Sequence, residues 1–247
     1  MRDGERHPLR RDLDCACWPA YPWLRPSNRI PMTRANLAVQ SRPVRSRSSE
    51  KRLQILRAAR ELVSSVGFRE AQMSAVADAA GVALGTLYRH FPSKTVLMVD
   101  VVSEVSQREV DVAAGVAMGE GDAADRLSAS AWLFASRALR GRRLAHALVA
   151  EPVEPEIESA RLKYRRKLAR VFETIIEQGV RDGTFPPQDI QASAACIVGS
   201  IFEGLVGPLA SDDLSTDSER RDHAKSIIEF CLRGVSGRMA VPSIVDD

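Results

Sequence analysis

The feature that most constrains this chain is a stretch at residues 74–94, whose pattern is typical of two short helices joined by a sharp turn. Small apolar residues at helical spacing predict the first helix. Gly81 predicts its end, because glycine enters the left-handed conformation without a Cβ penalty. A second short helix is predicted over Leu84–His90, and Pro92 ends it by disfavouring helical geometry in the residue before. Two short helices joined through a glycine match a helix-turn-helix, whose second helix enters the DNA major groove.

Two serines in this stretch are predicted to cap helices. Ser74 would cap the first short helix and Ser93 the long helix that follows, because a serine hydroxyl accepts a bond from an orphan backbone N–H. Ala83, just before the second short helix, cannot accept such a bond, which weakens that helix by about 1 kcal/mol relative to a serine there. Val82 is predicted to be the buried residue of the turn.

Two motifs in this part of the chain resemble the TetR family of bacterial repressors. The first, A-G-V-x-x-G-T-L-Y-x-H-F-x-S-K, spans Ala80–Lys94, and the second, I-L-x-A-A-x-E-L-x-x-x-x-G-F, spans Ile55–Phe68. The resemblance implies a DNA-binding head followed by a helical body that binds a small effector. The family often has serine at the position of Ala83, so one possible phosphate contact is missing here.

The resemblance and the residue chemistry together predict which side chains contact DNA. By resemblance Tyr88 and His90 meet the sugar–phosphate backbone and Lys94 binds a phosphate. From residue chemistry, Ser74 and the first-helix residue Arg52 can each reach a phosphate. The predicted contact set is Arg52, Ser74, Ala83, Leu84, Gly85, Thr86, Tyr88, Arg89, His90 and Lys94.

Contacts to base edges are predicted at the start of the second short helix. By resemblance Leu84, Gly85 and Thr86 face the bases, and the bare backbone of Gly85 allows close approach. Arg89 could pair with guanine if it points inward, or it could stay solvated or face a phosphate. Because Ala83, Leu84 and Gly85 lack hydrogen-bonding side chains, sequence preference is expected to depend on Thr86, Arg89, the arginines of the preceding arm and DNA shape.

Composition and pattern over the whole chain predict an all-α fold of about nine helices. Aromatic residues make up only 5% of the 247 residues, and no alternating apolar run is long enough for a sheet. The expected regions are a disordered Arg- and Pro-rich tail (1–48), a three-helix DNA-binding head (49–95, with the helix-turn-helix at about 72–91), a helical effector-binding and dimerisation body (96–237) and a flexible C-terminus (238–247).

Charge is distributed unevenly along the chain. Residues 1–48 contain ten arginines and four acidic residues, residues 49–95 carry a net charge of +3, and the remainder carries −6. A basic front and an acidic back suit a DNA-binding head on a body that avoids DNA. In the tail, Arg42, Arg45 and Arg47 could reach a minor groove or phosphates. Alternatively, residues 1–31 are not part of the native protein and Met32 is the true start.

Several classes of protein are disfavoured. No run approaches the roughly 20 apolar residues of a membrane span, and residues 1–30 lack the apolar segment of a signal peptide, so a cytoplasmic protein without membrane contact is expected. Cys15 and Cys17 have no second pair or nearby histidine to complete a metal site, and no cofactor is predicted. The four histidines, the lack of a nucleophile elbow and the lack of a glycine-rich phosphate loop argue against an enzyme.

Two helices of the body are predicted to carry special roles. By resemblance, the long helix from Ser93 to about Met118 is a lever that joins the head to the body. The helix from about Asp189 to Leu209 is apolar all round and must be covered on both sides, most simply by a second subunit. With the last helix, from Ser218 to about Gly234, it would form an isologous four-helix interface in a homodimer.

An effector pocket is predicted in the body, although its core could also be solid. The predicted lining is Met98, Val102, Trp132, Phe134, His146, Tyr164, Phe172, Ile176, Phe202 and Glu203. Glu203 would either pair with an arginine at the subunit seam or face a cationic or hydroxylated ligand. The predicted function is a repressor released from a pseudo-palindromic DNA operator by a small apolar or amphipathic effector; a ligand-independent regulator and an activator remain alternatives. Effector, operator and regulated genes stay open.

Overall fold

The computed structural model describes residues 47–210, 213 and 215–237, and these contain nine helices and no strand. The predicted all-α class is confirmed. The helices are α1 (Arg47–Glu70), α2 (Met73–Ala79), α3 (Leu84–His90), α4 (Lys94–Ala117), α5 (Ala123–Arg140), α6 (Arg142–Val149), α7 (Pro155–Asp182), α8 (Ile190–Leu209) and α9 (Asp217–Ser236). The predictions for the tail, including Cys15, Cys17, Arg42 and Arg45, and for residues 238–247 lie outside this part of the chain.

The head, α1 to α3, is built around one apolar cluster to which α4, α6 and α7 also contribute. The fully buried members include Ile55 and Ala59 of α1, Val76 of α2 and Leu87 of α3. Helix α1 begins at Arg47, two residues before the start of the predicted head at residue 49. Its helical geometry breaks at Gly67 (φ 80°), and the chain continues through Phe68.

The turn between α2 and α3 has the predicted form. Gly81 takes the left-handed conformation (φ 61°), and α3 spans the predicted Leu84–His90. Ala83 occupies the N-cap of α3 without a side-chain cap bond. At α4, the backbone N–H of Val96 donates to the Oγ of Ser93 (3.2 Å), so the predicted Ser93 cap is present.

The prediction that Ser74 caps α2 is wrong. Met73 is buried in the head core and begins the helix, so Gln72 takes the N-cap position and Ser74 lies inside the first turn. Its side chain is exposed. Val82, predicted to be buried, is half-buried against the head core.

Helix α4 belongs to both the head and the body. Its first half buries Leu97, Met98, Val101 and Val102 in the head cluster. Its second half buries Val110, Ala113 and Ala117 in the body cluster. The two clusters are therefore joined by one continuous helix.

In the body, α5 and α7 pack against α4, α8 packs against α7, and α9 packs against α5 and α8. By length and composition α8 is apolar enough to cross a membrane. One side of this helix, with Ala194, Ile197, Ile201 and Leu205, is buried in the body cluster. The opposite side of α8 is exposed and carries small residues, namely Ala192, Ala195, Cys196, Gly199 and Gly207.

Candidate nucleic-acid interface and ligand cavity

Helix α3 is buried on one side and open on the other. Leu87 is fully buried, as is Phe91 just beyond the helix. The side chains of Leu84 and Tyr88, one turn apart on the open side, are 43% and 44% exposed, although both are large. Arg89 is exposed beside them, whereas Thr86 and His90 are half-buried.

Gly85 lies in the middle of the exposed side of α3. A Cβ added there would meet no atom within 4 Å, so internal packing does not require glycine at this position. The bare backbone leaves room for an external partner to approach the helix closely, as the resemblance implies for base edges.

The two predicted cationic phosphate contacts outside α3 also have partners inside the protein. The ammonium of Lys94 donates to the carbonyl oxygen of Arg69 at 2.7 Å, which leaves two of its three protons free to face outward. Arg52 instead forms an ion pair with Asp100 of α4, and its guanidinium lies over the Phe91 ring, 4.8 Å from the centroid. This position makes Arg52 a brace between α1 and α4.

A cavity of about 330 Å³ lies in the body, walled by α4, α5, α6, α7 and α8. Its lining residues are Val105, Ser106, Glu109, Val110, Phe134, Arg137, Ala138, Arg140, Gly141, Leu144, Ala145, Leu148, Val149, Arg161, Tyr164, Arg165, Leu168, Phe202, Leu205 and Leu209. A second cavity of about 250 Å³ shares Val149, Arg165 and Phe202 with the first.

Three of the ten predicted lining residues, Phe134, Tyr164 and Phe202, border the larger cavity, and Glu203 borders the second. The other six border neither: Met98, Val102, Trp132, His146, Phe172 and Ile176. Met98 and Val102 lie in the head core, because the cavity begins one turn later along α4. Phe172 and Ile176 are fully buried in the solid part of the body core, Trp132 packs against that core, and His146 is half-buried on α6.

The wall of the larger cavity also contains charged groups that were not predicted from the sequence. Arg137 donates two parallel bonds to Glu109, from Nε at 2.6 Å and from Nη2 at 2.8 Å. This bidentate bond raises the pKa of Arg137, and the two charges neutralise each other.

Arg161 is the most deeply buried charge in the cavity wall, with 6% of its surface exposed. It donates to the carbonyl oxygens of Ala147 (2.5 Å) and Glu151 (2.9 Å) and to the carboxylate of Glu158 (3.1 Å). Burial lowers the pKa of its guanidinium, but arginine stays charged in proteins. One feature of the sequence indicates this burial: Arg161 lies between Ile157 and Leu168, on the apolar stripe of α7.

The same loop that Arg161 holds also touches the end of the head. The carboxylate of Glu151 accepts a bond from the backbone N–H of Phe68 at 2.8 Å. The guanidinium of Arg161 lies over the Phe68 ring, 5.7 Å from its centroid. The cavity wall and the end of α1 therefore meet at one junction, formed by Gly67, Phe68, Glu151 and Arg161.

The fold and the open side of α3 define a helix-turn-helix protein with a helical body. A family model described as bacterial regulatory proteins of the tetR family matches residues 55–101, and a model of the tetracyclin repressor-like C-terminal domain matches residues 135–224. These ranges together take up more than half of the chain, and the chain belongs to the tetR family of bacterial regulators.

Individual relatives match the chain to different extents. The transcriptional repressor KstR of Rhodococcus jostii is 48% identical over 59 residues, which are 24% of this chain and 28% of that repressor. The match thus spans less than a third of the length of KstR. The transcriptional regulator UidR of Escherichia coli K12 is 24% identical over 201 residues, covering 78% of this chain and 95% of that regulator.

Solved structures share the fold. FadR of Bacillus subtilis in complex with stearoyl-CoA has a TM-score of 0.65 at 20% identity, covering 74% of this chain and 98% of FadR. Salmonella enterica GusR has a TM-score of 0.64 at 21% identity, covering 79% of this chain and 99% of GusR.

Proposed function

We propose that this chain is a ligand-responsive, cytoplasmic transcriptional regulator, a repressor that leaves its operator when a small apolar or amphipathic effector fills the body cavity. The observation that carries the proposal is the position of Arg161, which borders the cavity and binds the loop that holds Phe68 of the head. A ligand that displaces Arg161 or its loop changes the support of the head. The repressor assignment draws on KstR, and a body ligand draws on the stearoyl-CoA complex of FadR.

The proposed DNA-binding surface is the open side of α3 with the start of α4. Leu84, Gly85 and Thr86 face base edges, and Arg89 reaches either a guanine or a phosphate. Tyr88, His90 and Lys94 meet the backbone, with Ser74 of α2 beside them. Arg52 supports this surface through Asp100 and Phe91 rather than binding DNA itself.

The proposed assembly is a homodimer through α8 and α9. The exposed side of α8 is lined with small residues that allow close helix approach, and Phe230 of α9 is 62% exposed beside it. Two copies related by a two-fold axis would bury these surfaces against each other. The two recognition helices would then read a pseudo-palindrome with half-sites about 34–36 Å apart.

The proposal is tested by fluorescence anisotropy with labelled fragments of the DNA that flanks the chain's own coding sequence. We expect one fragment to bind far more tightly than shuffled DNA, with an affinity that falls steeply as salt rises because phosphate contacts release counterions. Binding that shows no sequence preference and no salt dependence would overturn the DNA-binding assignment.

Thermal melts with and without cell extract then separate a ligand-responsive regulator from a ligand-independent one, since a bound ligand raises the midpoint of unfolding.

A further inference from the structure

We propose that the effector is an amphipathic anion and that Arg165 binds its charged group. This inference rests on the proposed effector cavity. The inference starts from the charge balance of the cavity wall. Four arginines and one carboxylate border the larger cavity. Because Glu109 is fully engaged by Arg137, the wall keeps an excess of positive charge.

The remaining three arginines differ in what they already bind. Arg161 already donates hydrogen bonds to the carbonyl oxygens of Ala147 and Glu151, so its guanidinium stabilises the end of α6 and the loop that follows. Arg140 is exposed at the cavity's edge. Arg165 is half-buried and borders both cavities, which places it at the centre of the space a ligand would occupy.

Arg165 lacks the partners that a buried guanidinium requires. Its Nε is buried without a hydrogen-bond partner, as is the Nε of Arg161. Unlike Arg161, whose Nη atoms make three bonds, Arg165 makes only one long bond, 3.5 Å, from Nη2 to the carbonyl oxygen of Val149. No carboxylate of the described ranges comes within ion-pair distance, including Glu203, which borders the second cavity. A half-buried charge with an unsatisfied donor is unfavourable, and an oxyanion is the group that matches the guanidinium fork.

The surroundings of Arg165 suit an oxyanion that is attached to an apolar body. Its guanidinium lies over the ring of Phe202, 4.8 Å from the centroid. Beyond it the cavity wall is apolar, formed mainly by Val110, Phe134, Leu148, Leu168 and Leu205. A carboxylate or a phosphate ester on an apolar body fits both halves of this site.

The test is calorimetric titration of the full-length protein with four probes that share one apolar body: decanoate, decyl phosphate, decanol and decyltrimethylammonium, all below their micelle concentrations. We expect at least one anion to bind about tenfold or more tightly than decanol, because a charge-assisted hydrogen bond replaces an unsatisfied donor. The cation should bind most weakly. Which of the two anions binds more tightly distinguishes a carboxylate from a phosphate effector.

The variant Arg165→Gln should bind the preferred anion no more tightly than decanol, with decanol affinity unchanged. Arg166→Gln, an exposed neighbour on α7, is the matched control and should keep the anion preference. Equal binding of anions and decanol, or an anion preference that survives in Arg165→Gln, would overturn the anion assignment while leaving a ligand cavity in place. If none of the four probes binds a protein that still binds its DNA, the effector cavity itself is refuted and the DNA-binding assignment stands.

Discussion

At the scale of single residues, the start of the recognition helix α3 is its weakest point. Ala83 occupies the N-cap and leaves the first backbone N–H groups without a side-chain acceptor. Ala83→Ser should raise the free energy of unfolding by about 1 kcal/mol, because the serine hydroxyl would satisfy one of these donors. A thermal melt should show the midpoint rising by about 2–4 °C for a chain of this size.

The control for this prediction is Ser74→Ala. Since Ser74 lies inside α2 rather than at its cap, its loss should change the free energy of unfolding by less than about 0.5 kcal/mol. A drop as large as that of a lost cap would show that Ser74, and not Gln72, caps α2.

The contacts proposed for DNA divide into base readers and backbone binders. Thr86→Ala should relax base preference at one operator position, whereas Lys94→Ala should weaken binding to all sequences alike and reduce the salt slope by about one. Anisotropy against a set of operator variants measures both. If both substitutions merely lower affinity uniformly, Thr86 does not read a base. Because Lys94 also bonds to Arg69, its variant is first compared with the wild type by thermal melt.

At the scale of elements, the junction between the end of α1 and the α6–α7 loop connects head and body. Gly67 has φ 80°, and a Cβ there would lie 2.3 Å from a carboxylate oxygen of Glu151. Both facts make glycine necessary: a side chain would strain the backbone and push Glu151 away from the N–H of Phe68. A single added methyl group at Gly67 would therefore disturb the contact between α1 and the α6–α7 loop.

We therefore expect Gly67→Ala to lower the free energy of unfolding by about 1–3 kcal/mol, measured by urea denaturation. The double variant Gly67→Ala/Glu151→Ala should recover only part of this loss, because it removes the clash but not the backbone strain. An unchanged stability in Gly67→Ala would mean that the junction is not packed as described.

Most helices could be predicted because their limits depend on local chemistry. Gly81 and Ser93 end or cap helices through their own backbone and side chains, and the structure has them in these roles. The cavity could not be placed in the same way, because it depends on how α4 and α7 are rotated against each other. About two turns along α4 separate Met98, buried in the head, from Val105, which borders the cavity.

The burial of Arg161 and the pairing of Arg52 could not be predicted from the sequence for a similar reason. An arginine in an amphipathic helix is usually solvated, but its long stem and five donors also let it be buried where carbonyl groups accept its bonds. Whether such acceptors are present depends on the end of α6, which contains Ala147, and on the following loop, which contains Glu151; local sequence rules do not place either beside Arg161. Pairing of Arg52 with Asp100, 48 residues away, is equally invisible to local rules.

At the scale of the whole molecule, the exposed apolar surface of α8 and α9 predicts the assembly state. Phe230→Glu should convert the proposed dimer to a monomer, because two like charges would face each other near the two-fold axis. Light scattering after gel filtration measures the mass. Leu162→Glu, at another exposed apolar position (42%) on α7, is the matched control and should leave the dimer intact. A Phe230→Glu protein that stays dimeric would place the interface elsewhere.

The central claim is that the cavity and the DNA-binding head are coupled, and coupling is reciprocal by thermodynamic necessity. The most direct measurement is the dissociation constant of the tightest-binding ten-carbon probe, taken with the free protein and with the protein saturated by operator DNA. We predict that operator binding weakens the probe by about 5- to 150-fold, and that the probe weakens operator binding by the same factor. Equal probe affinity for the free and operator-bound protein would contradict the claim.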